Sequence, residues 1–406
     1  VPGALPSSVP AVTQLTPRER VYRALALQVP DKTPFHAYES PEHALRQLGR
    51  RVHELYFEPQ LLPHAMIECA KLYANDVIMM RAPLSGPVGS EARTAPNGGV
   101  WFRDRRSGDV VARVEPDQKT VLPVQPAPPP VRTAADIDAA MPVTSAAEFE
   151  QDEARMTAIR RYRDAFGGER FLLGTGAANT ANILHAMLGS ERALTVVLEE
   201  PDLCRAIMDR RLEQLVEEYA FQQRHGIDGI YMGDAYASCS LYSPAVYREL
   251  FFPYHKRAVA AIHALGMKAL LHICGRIDGI LENMADTGAD ILESLDAPSS
   301  GGDIVLADAK RRVGHRTCLK GNLDAVHVIA PLDAEEIHAH CLRAMQDAGP
   351  AGYILSTEQV TRDTPREHVL AMVQARDDFR LSGPDDDAGA AQAACWRGST
   401  GAGAGA

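Results

Sequence analysis

The sequence predicts an α/β fold of the TIM (β/α)8 barrel class. Eight short apolar runs recur along the chain, segments of helical period separate most of them, and polar residues gather just after the runs. That last position is where a barrel builds its active site.

The runs are TPFHAY (33–38), NDVIMM (75–80), RFLLGT (170–175), DGIYMG (228–233), KALLHI (268–273), DILESL (290–295), RTCLKG (316–321) and GYILST (352–357). Between them the period predicts helices over 41–73 with a break at Pro63, then 200–225, 244–265, 277–287, 303–312, 333–348 and 365–380. Pro244 and Pro365 each follow a Ser or Thr, as suits a first helical position where no amide hydrogen is needed. A doubly wound sheet is the competing architecture. The GTGAAN stretch at 174–179 lacks the third glycine and the acidic residue of a dinucleotide loop, which argues against it.

The longest interruption falls between the second and third runs. There GVWFRDRRSGDVVARVEPDQKTVLPV reads as a β-hairpin turning at Ser107-Gly108, followed by the Pro-rich QPAPPPVR. The expected organisation is a flexible N-terminal segment 1–16, one barrel domain 17–381 with an insertion at about 84–135 over the barrel mouth, and a disordered tail 382–406 rich in small and acidic residues.

Composition narrows the function. With 406 residues, 46% of them hydrophobic, the chain can bury a large core, while a net charge of −11 without a basic run excludes a nucleic-acid footprint. No apolar run is long enough to span a bilayer, and the expected location is cytoplasmic. Seven scattered cysteines without framework spacing suit reduced thiols.

The polar strand-end residues are His36, Tyr38, Arg81, Thr175, Asn179, Asp234, His272, Cys274, Glu293, Asp296, Asn322 and Glu358. His272 and Cys274 are the sharpest pair, because residues two apart in a strand share a face and could meet one Zn²⁺ through nitrogen and thiolate. The alternative is a strand-capping histidine beside a small buried thiol. Glu358, after the eighth strand, is the candidate third metal ligand, and three protein ligands would leave a fourth position for substrate. Cys239 is held in reserve. Asp234 is placed to orient substrate or a metal-bound histidine, and Glu293 and Asp296 are candidate acid/base groups, with loop capping as the competing role. His36, Tyr38, Asn179, Tyr236 and Asn322 are candidate substrate-binding residues.

The stretch from DGIYMGDAYASCSLYSPAVY through KALLHICGRIDGILENMADTGADILESLDA, then LKGNLDA and GYILSTEQVTRDTPREHVLAMVQA, resembles the uroporphyrinogen decarboxylase superfamily, strongly over about 225–380 and collinearly from about 18. The resemblance implies a TIM barrel. It also offers two activities: decarboxylation of uroporphyrinogen, or zinc-dependent transfer of a methyl group between a corrinoid protein and a thiol such as coenzyme M.

The decarboxylases carry an RQAGR loop right after the first strand, an Asp after the second and a Tyr after the third. Here RQLGRR falls about ten residues late at 46–51, the Asp position reads MMRAPL, and the Tyr position falls on or near His185, the third candidate catalytic residue. The cations and acid needed for a tetrapyrrole are missing.

The methyltransferase branch is similar in its H-x-C pair, matched by His272 and Cys274, and differs in the Cys after the eighth strand, where Glu358 stands. Cobalamin-independent methionine synthases resemble this mixture of Glu with His and Cys around zinc. The resemblance therefore implies a zinc-dependent methyltransferase acting on a small-molecule substrate, with Zn²⁺ as cofactor, a corrinoid carried by a separate protein, and a homodimer among the open assemblies. A lyase or decarboxylase of a small non-tetrapyrrole substrate is the alternative.

Overall fold

Eight parallel strands lie side by side in the order β1-β12-β11-β10-β9-β8-β7-β2 in the structure, a computed structural model that describes residues 14–124, 131–176 and 180–381. They are β1 (Phe35–His36), β2 (Val77–Met79), β7 (Phe171–Gly176), β8 (Gly229–Gly233), β9 (Lys268–Ile273), β10 (Ile291–Ser294), β11 (Cys318–Leu323) and β12 (Tyr353–Thr357). Each overlaps one of the eight expected runs. The remaining four strands, β3 (Ser90–Thr94), β4 (Val100–Asp104), β5 (Val110–Val114) and β6 (Leu122–Pro123), form a separate antiparallel sheet. The α/β barrel class is what the sequence predicts.

The circle closes between β1 and β2 without a regular ladder. Asp76 donates its amide to the Phe35 carbonyl at 2.8 Å. In return the Phe35 amide donates to Asp76 Oδ2 at 2.8 Å and the Ala37 amide to Asn75 Oδ1 at 3.0 Å. Side chains here satisfy amides that a neighbouring strand would otherwise serve, which meets the demand that buried backbone groups be paired. Asn75 and Asp76 are 1% exposed each, as that role requires.

The barrel interior is layered by strand alternation. Val77, Met79, Phe171, Leu173, Leu270, Ile291, Cys318 and Ile354 pack together, and Val21 and Ala24 join them from the helix Pro17–Leu25. That helix starts at Thr16, whose side chain forms a capping box with Glu19. Its Arg20 is ion-paired with Asp31 at 2.7 Å and Asp76 at 2.5 Å, fixing it beneath the seam. One further step of two residues toward the C-terminal ends brings Arg81, Thr175, His272, Glu293, Lys320 and Ser356. The layer above the apolar one is polar.

Local chemistry moves several expected boundaries. The first helical stretch divides into Pro41–Gln47, a short turn Val52–Tyr56 and Leu61–Leu72. The break lies before Pro63, which sits in the first turn of the third piece, where its missing amide hydrogen costs nothing. The helix expected at 244–265 is interrupted by a π-helical turn, Tyr247–Phe251, just ahead of Pro253. The wider turn accommodates a residue that neither donates a hydrogen bond nor tolerates the carbonyl four residues back. Helices Glu153–Phe166, Ala181–Leu188 and Ser190–Glu199 fill stretches for which no helix is expected from the sequence.

The insertion holds the expected β4–β5 hairpin with two strands more. Val100, Phe102, Ala112 and Val114 form its own small core, and Tyr56 packs edge-on against Phe102 with ring centroids 5.2 Å apart. Lys119 reaches Glu42 at 2.9 Å, so the sheet is anchored on the elements that follow β1. Residues 1–13, 125–130 and 382–406 lie outside the described residues, and with them most of the expected terminal segments and the Pro-rich stretch.

No helix of the described residues is long and apolar enough to cross a membrane.

Candidate active site

A cavity of about 440 Å³ opens at the C-terminal ends of four adjacent strands, lined by Arg81, Thr175, Asn182, Tyr231, Gly233 and His272 among others. Its floor is the polar layer. Lys320, on β11, is 0% exposed and forms an ion pair with Glu293 of β10, likewise 0% exposed. Lys320 Nζ also donates to Ser356 Oγ at 2.9 Å and stands 4.8 Å from the centre of the Tyr38 ring. Tyr38 and Tyr231 share a hydrogen bond between their hydroxyls at 2.8 Å. The Tyr231 ring lies 5.2 Å from that of His272.

Burial and charge set the protonation of this layer. Burial would raise Glu293, yet the Lys320 ammonium and the His272 ring outweigh it and bring the carboxyl down to about 2. Burial pushes Lys320 below the ordinary lysine value against the pull of Glu293. His36, fully buried beside Lys320, is driven well below the usual histidine range and stays neutral. At His272 burial opposes charge, but Tyr38, Cys274 and Glu293 around the ring carry the net shift upward.

His272 Nδ1 faces Glu293 Oε2 at 3.4 Å, and neither atom has a hydrogen-bond partner. Cys274 follows on the same side of the chain and is half-buried. Between strand and loop, Gly275 takes φ +83°, and a Cβ there would come 2.7 Å from Ser240 Oγ. Its amide donates to Asp296 Oδ2 at 2.6 Å, while Asp296 Oδ1 is buried without a partner. Burial raises the Asp296 carboxyl above its ordinary value.

Glu358 is not gathered with this pair. Its amide bonds to the Leu323 carbonyl at 3.3 Å, and its side chain hydrogen-bonds to Ser300, which draws it toward the loops after β10 and β11. Burial and the nearby Asp296 raise its carboxyl to about 7. Among the described residues no group of three or more His, Cys, Asp or Glu stands close enough to hold a metal ion. Cys239 stands on the loop after β8, its amide bonded to the Arg276 carbonyl at 2.8 Å.

Asp234, at the end of β8 and 1% exposed, spends both oxygens on its surroundings. Oδ2 accepts from the Thr180 amide at 2.9 Å, from the Thr180 hydroxyl and from His255 Nε2 at 3.0 Å, and Oδ1 accepts from the Asn182 amide at 2.8 Å. Behind it, His255 Nδ1 meets the Tyr247 hydroxyl at 3.1 Å, supplied by the π-helical turn. Asp234 thus fastens the start of the helix Ala181–Leu188 to the barrel. His185, on that helix, bonds through Nε2 to the Tyr242 hydroxyl at 2.9 Å and stacks on Tyr236 at 4.3 Å. Burial lowers its pKa, which keeps the ring neutral.

The other expected contacts divide. His36 and Tyr38 belong to the polar floor, with rings 5.5 Å apart. Asn322 donates to the Leu295 carbonyl at 2.5 Å and the Ile304 carbonyl at 3.3 Å, so it holds the loop after β10. Tyr236 is 44% exposed at the rim. Asn179 lies outside the described residues.

Lys320, Tyr231, His255 and Glu39 are absent from the expected set. A lysine inside an otherwise apolar strand run was the available signal for the first of these.

Glu39, just after β1 and 2% exposed, accepts from Asn75 Nδ2 at 2.6 Å, and burial raises its carboxyl from 4.5 to about 7. The folded chain therefore holds a proton that the unfolded chain releases. Its contribution is greatest below pH 4.5 and is lost as pH rises toward 7. Glu39→Gln is expected to stabilise the protein at pH 8 by an amount on the order of 3 kcal/mol and to leave it nearly unchanged at pH 4. Urea midpoints of the two proteins across that range measure it, and a pH-independent difference would refute it.

The uroporphyrinogen decarboxylase (URO-D) family model matches residues 113–379. Among curated proteins, the methylcobamide:CoM methyltransferase MtaA of Methanosarcina barkeri is 25% identical over 224 residues, covering 55% of this chain and 63% of that protein. The uroporphyrinogen decarboxylase of Mycobacterium ulcerans is 28% identical over 237 residues, covering 56% of this chain and 64% of that one. The chain spans somewhat under two thirds of the length of these relatives. Among solved structures, a methyltransferase from Methanosarcina mazei superposes with a TM-score of 0.69 over 90% of this chain and 99% of that one, at 20% identity, a likeness of fold.

Proposed function

The chain belongs to the uroporphyrinogen decarboxylase family, and from that premise we propose that it is a zinc-dependent methyltransferase, moving a methyl group between a corrinoid on a separate protein and a small thiol-type acceptor. The observation that carries the reading is His272 and Cys274 together at the end of β9, with His272 lining the cavity. The similarity to the MtaA methyltransferase supports it.

The donor chemistry fits zinc. Imidazole nitrogen and thiolate are the ligand types it favours, and a carboxylate against one ring nitrogen is the usual partner of a metal-bound histidine, leaving the other nitrogen free to bind. Glu293 stands in that place, 3.4 Å from His272 Nδ1. His272 and Cys274 would hold the metal, and Glu358, once released from Ser300, is the third ligand we propose. When bound, zinc supplies a stabilised thiolate at neutral pH.

The chain's own residues do the rest. Lys320 keeps Glu293 ionised, so the carboxylate can orient the His272 ring. Tyr38, Tyr231 and His36 seal the floor beneath the cavity and limit water there. Asp234 fixes the helix that presents His185, Asn182 and, through the rim, Tyr236. We assign Asp234 and Glu293 positioning roles, and His185 a place in the wall as a neutral hydrogen-bonding ring.

The test is to supply methylcobalamin and a small thiol to the zinc-loaded protein and look for thioether with loss of the methyl–cobalt absorbance. Thioether formation that needs Cys274 is the expected result. Release of carbon dioxide from a small carboxylic acid, with no methyl transfer, would instead favour the lyase reading.

A further inference from the structure

Arg81 follows β2 and faces the same cavity as His272. Among the described residues its guanidinium makes no hydrogen bond and no ion pair, and Nε is buried without a partner. An unanswered Nε–H is costly, because that donor has lost water and gained nothing.

The neighbouring acids are occupied. Glu218, the acid lining the cavity, pairs with Arg155 at 3.7 Å. Glu293 answers Lys320, and Asp234 is committed to amides and to His255. Glu39, within reach of the Arg81 field, bonds to Asn75 and has its proton favoured by burial. Each of these acids has a partner of its own, while the Arg81 guanidinium has none among the described residues.

We propose that Arg81 binds the carboxylate of the substrate, so that the molecule accepted in this cavity is a small carboxylic acid lying across the barrel mouth from Arg81 toward His272. A planar fork of donors matches a carboxylate in two parallel hydrogen bonds. Thr175 and Tyr231, between the two ends of the cavity, flank the path. Since β7 and β8 separate β2 from β9, a carboxylate held at Arg81 places the opposite end of a short chain toward His272 and Cys274. This deepens the reading of the cavity as the methyl acceptor site and rests on it: the acceptor becomes a carboxylated thiol.

The experiment uses the full chain and three probes, propionate, 3-mercaptopropionate and the uncharged 2-mercaptoethanol, with binding followed by calorimetry and thermal melting checked for every variant. Propionate is expected to bind saturably to wild type, to lose roughly tenfold or more in affinity in Arg81→Gln, and to keep part of its affinity in Arg81→Lys. 3-Mercaptopropionate is expected to bind more tightly than either propionate or 2-mercaptoethanol. No saturable propionate binding to wild type, or equal binding to a well-folded Arg81→Gln, overturns the carboxylate assignment. Propionate binding that depends on Arg81 while the thiol group adds nothing upholds Arg81 and counts against the thiol acceptor, so the two ideas fail separately.

Discussion

Lys320→Met is expected to destabilise the chain by about 3–5 kcal/mol, the cost of leaving a buried charge without its partner. Glu293 is 0% exposed, and its carboxylate is held ionised by Lys320. Methionine fills the lysine's volume, so the loss reports the charge rather than a cavity. Adding Glu293→Gln to the same chain removes the stranded anion and is expected to restore part of the loss, a coupling above roughly 1 kcal/mol. Urea unfolding of wild type, both single variants and the double variant gives the cycle. If Lys320→Met loses less than about 1 kcal/mol, water reaches Glu293 and the sealed floor described above is wrong.

The second large effect concerns the metal. Wild-type protein is expected to carry zinc in stoichiometric amount, with His272→Ala and Cys274→Ala each lowering affinity by a factor of about 100 or more, since a protein-bound zinc draws several kcal/mol from each ligand. Glu293→Gln is expected to cost about 10–100-fold, the usual toll of losing the group that orients a metal-bound histidine. Competition against a chromogenic chelator measures all three. Glu358→Ala then identifies the third ligand: a loss matching that of Cys274→Ala supports it, and wild-type affinity removes it from the set. Wild type purified under gentle conditions without bound metal, and unable to take it up, would end the zinc reading.

The barrel was legible because its signal is redundant. Each of eight strands is an apolar run, and misplacing one end by a residue or two leaves the count intact. Boundaries were harder where one residue decides them. Pro63 looks like a break from sequence but is harmless in a first turn, and the π-helical turn at Tyr247–Phe251 answers Pro253 in a way that helical period alone does not announce. β1 shrinks to two residues because its far neighbour supplies side chains in place of a ladder.

The site was legible in part. Strand alternation sets His272 beside Glu293 in the polar layer, since a period of two is fixed by backbone geometry. Distance between loops is not so fixed, and the bond of Glu358 to Ser300 has no signal in the sequence. Asp234 was recognisable as important, but only its partners on the helix after β7 reveal that it fastens rather than faces the cavity. Lys320 stands in CLKGNL, where a lysine in a strand reads as an edge or surface residue.

The join between β1 and β2 has a consequence for how the barrel breathes. Elsewhere around the circle, prising two strands apart breaks a backbone ladder, whereas here it asks that the Asn75 and Asp76 side chains release the amides of Ala37 and Phe35 and that one backbone bond, from the Asp76 amide to the Phe35 carbonyl, parts. Local opening is cheapest where the fewest bonds must part together. The barrel therefore has a built-in zip, and it runs beside Tyr38, Glu39 and Arg81, so solvent deuterium would enter the protein from the side on which the cavity's unpaired cation stands.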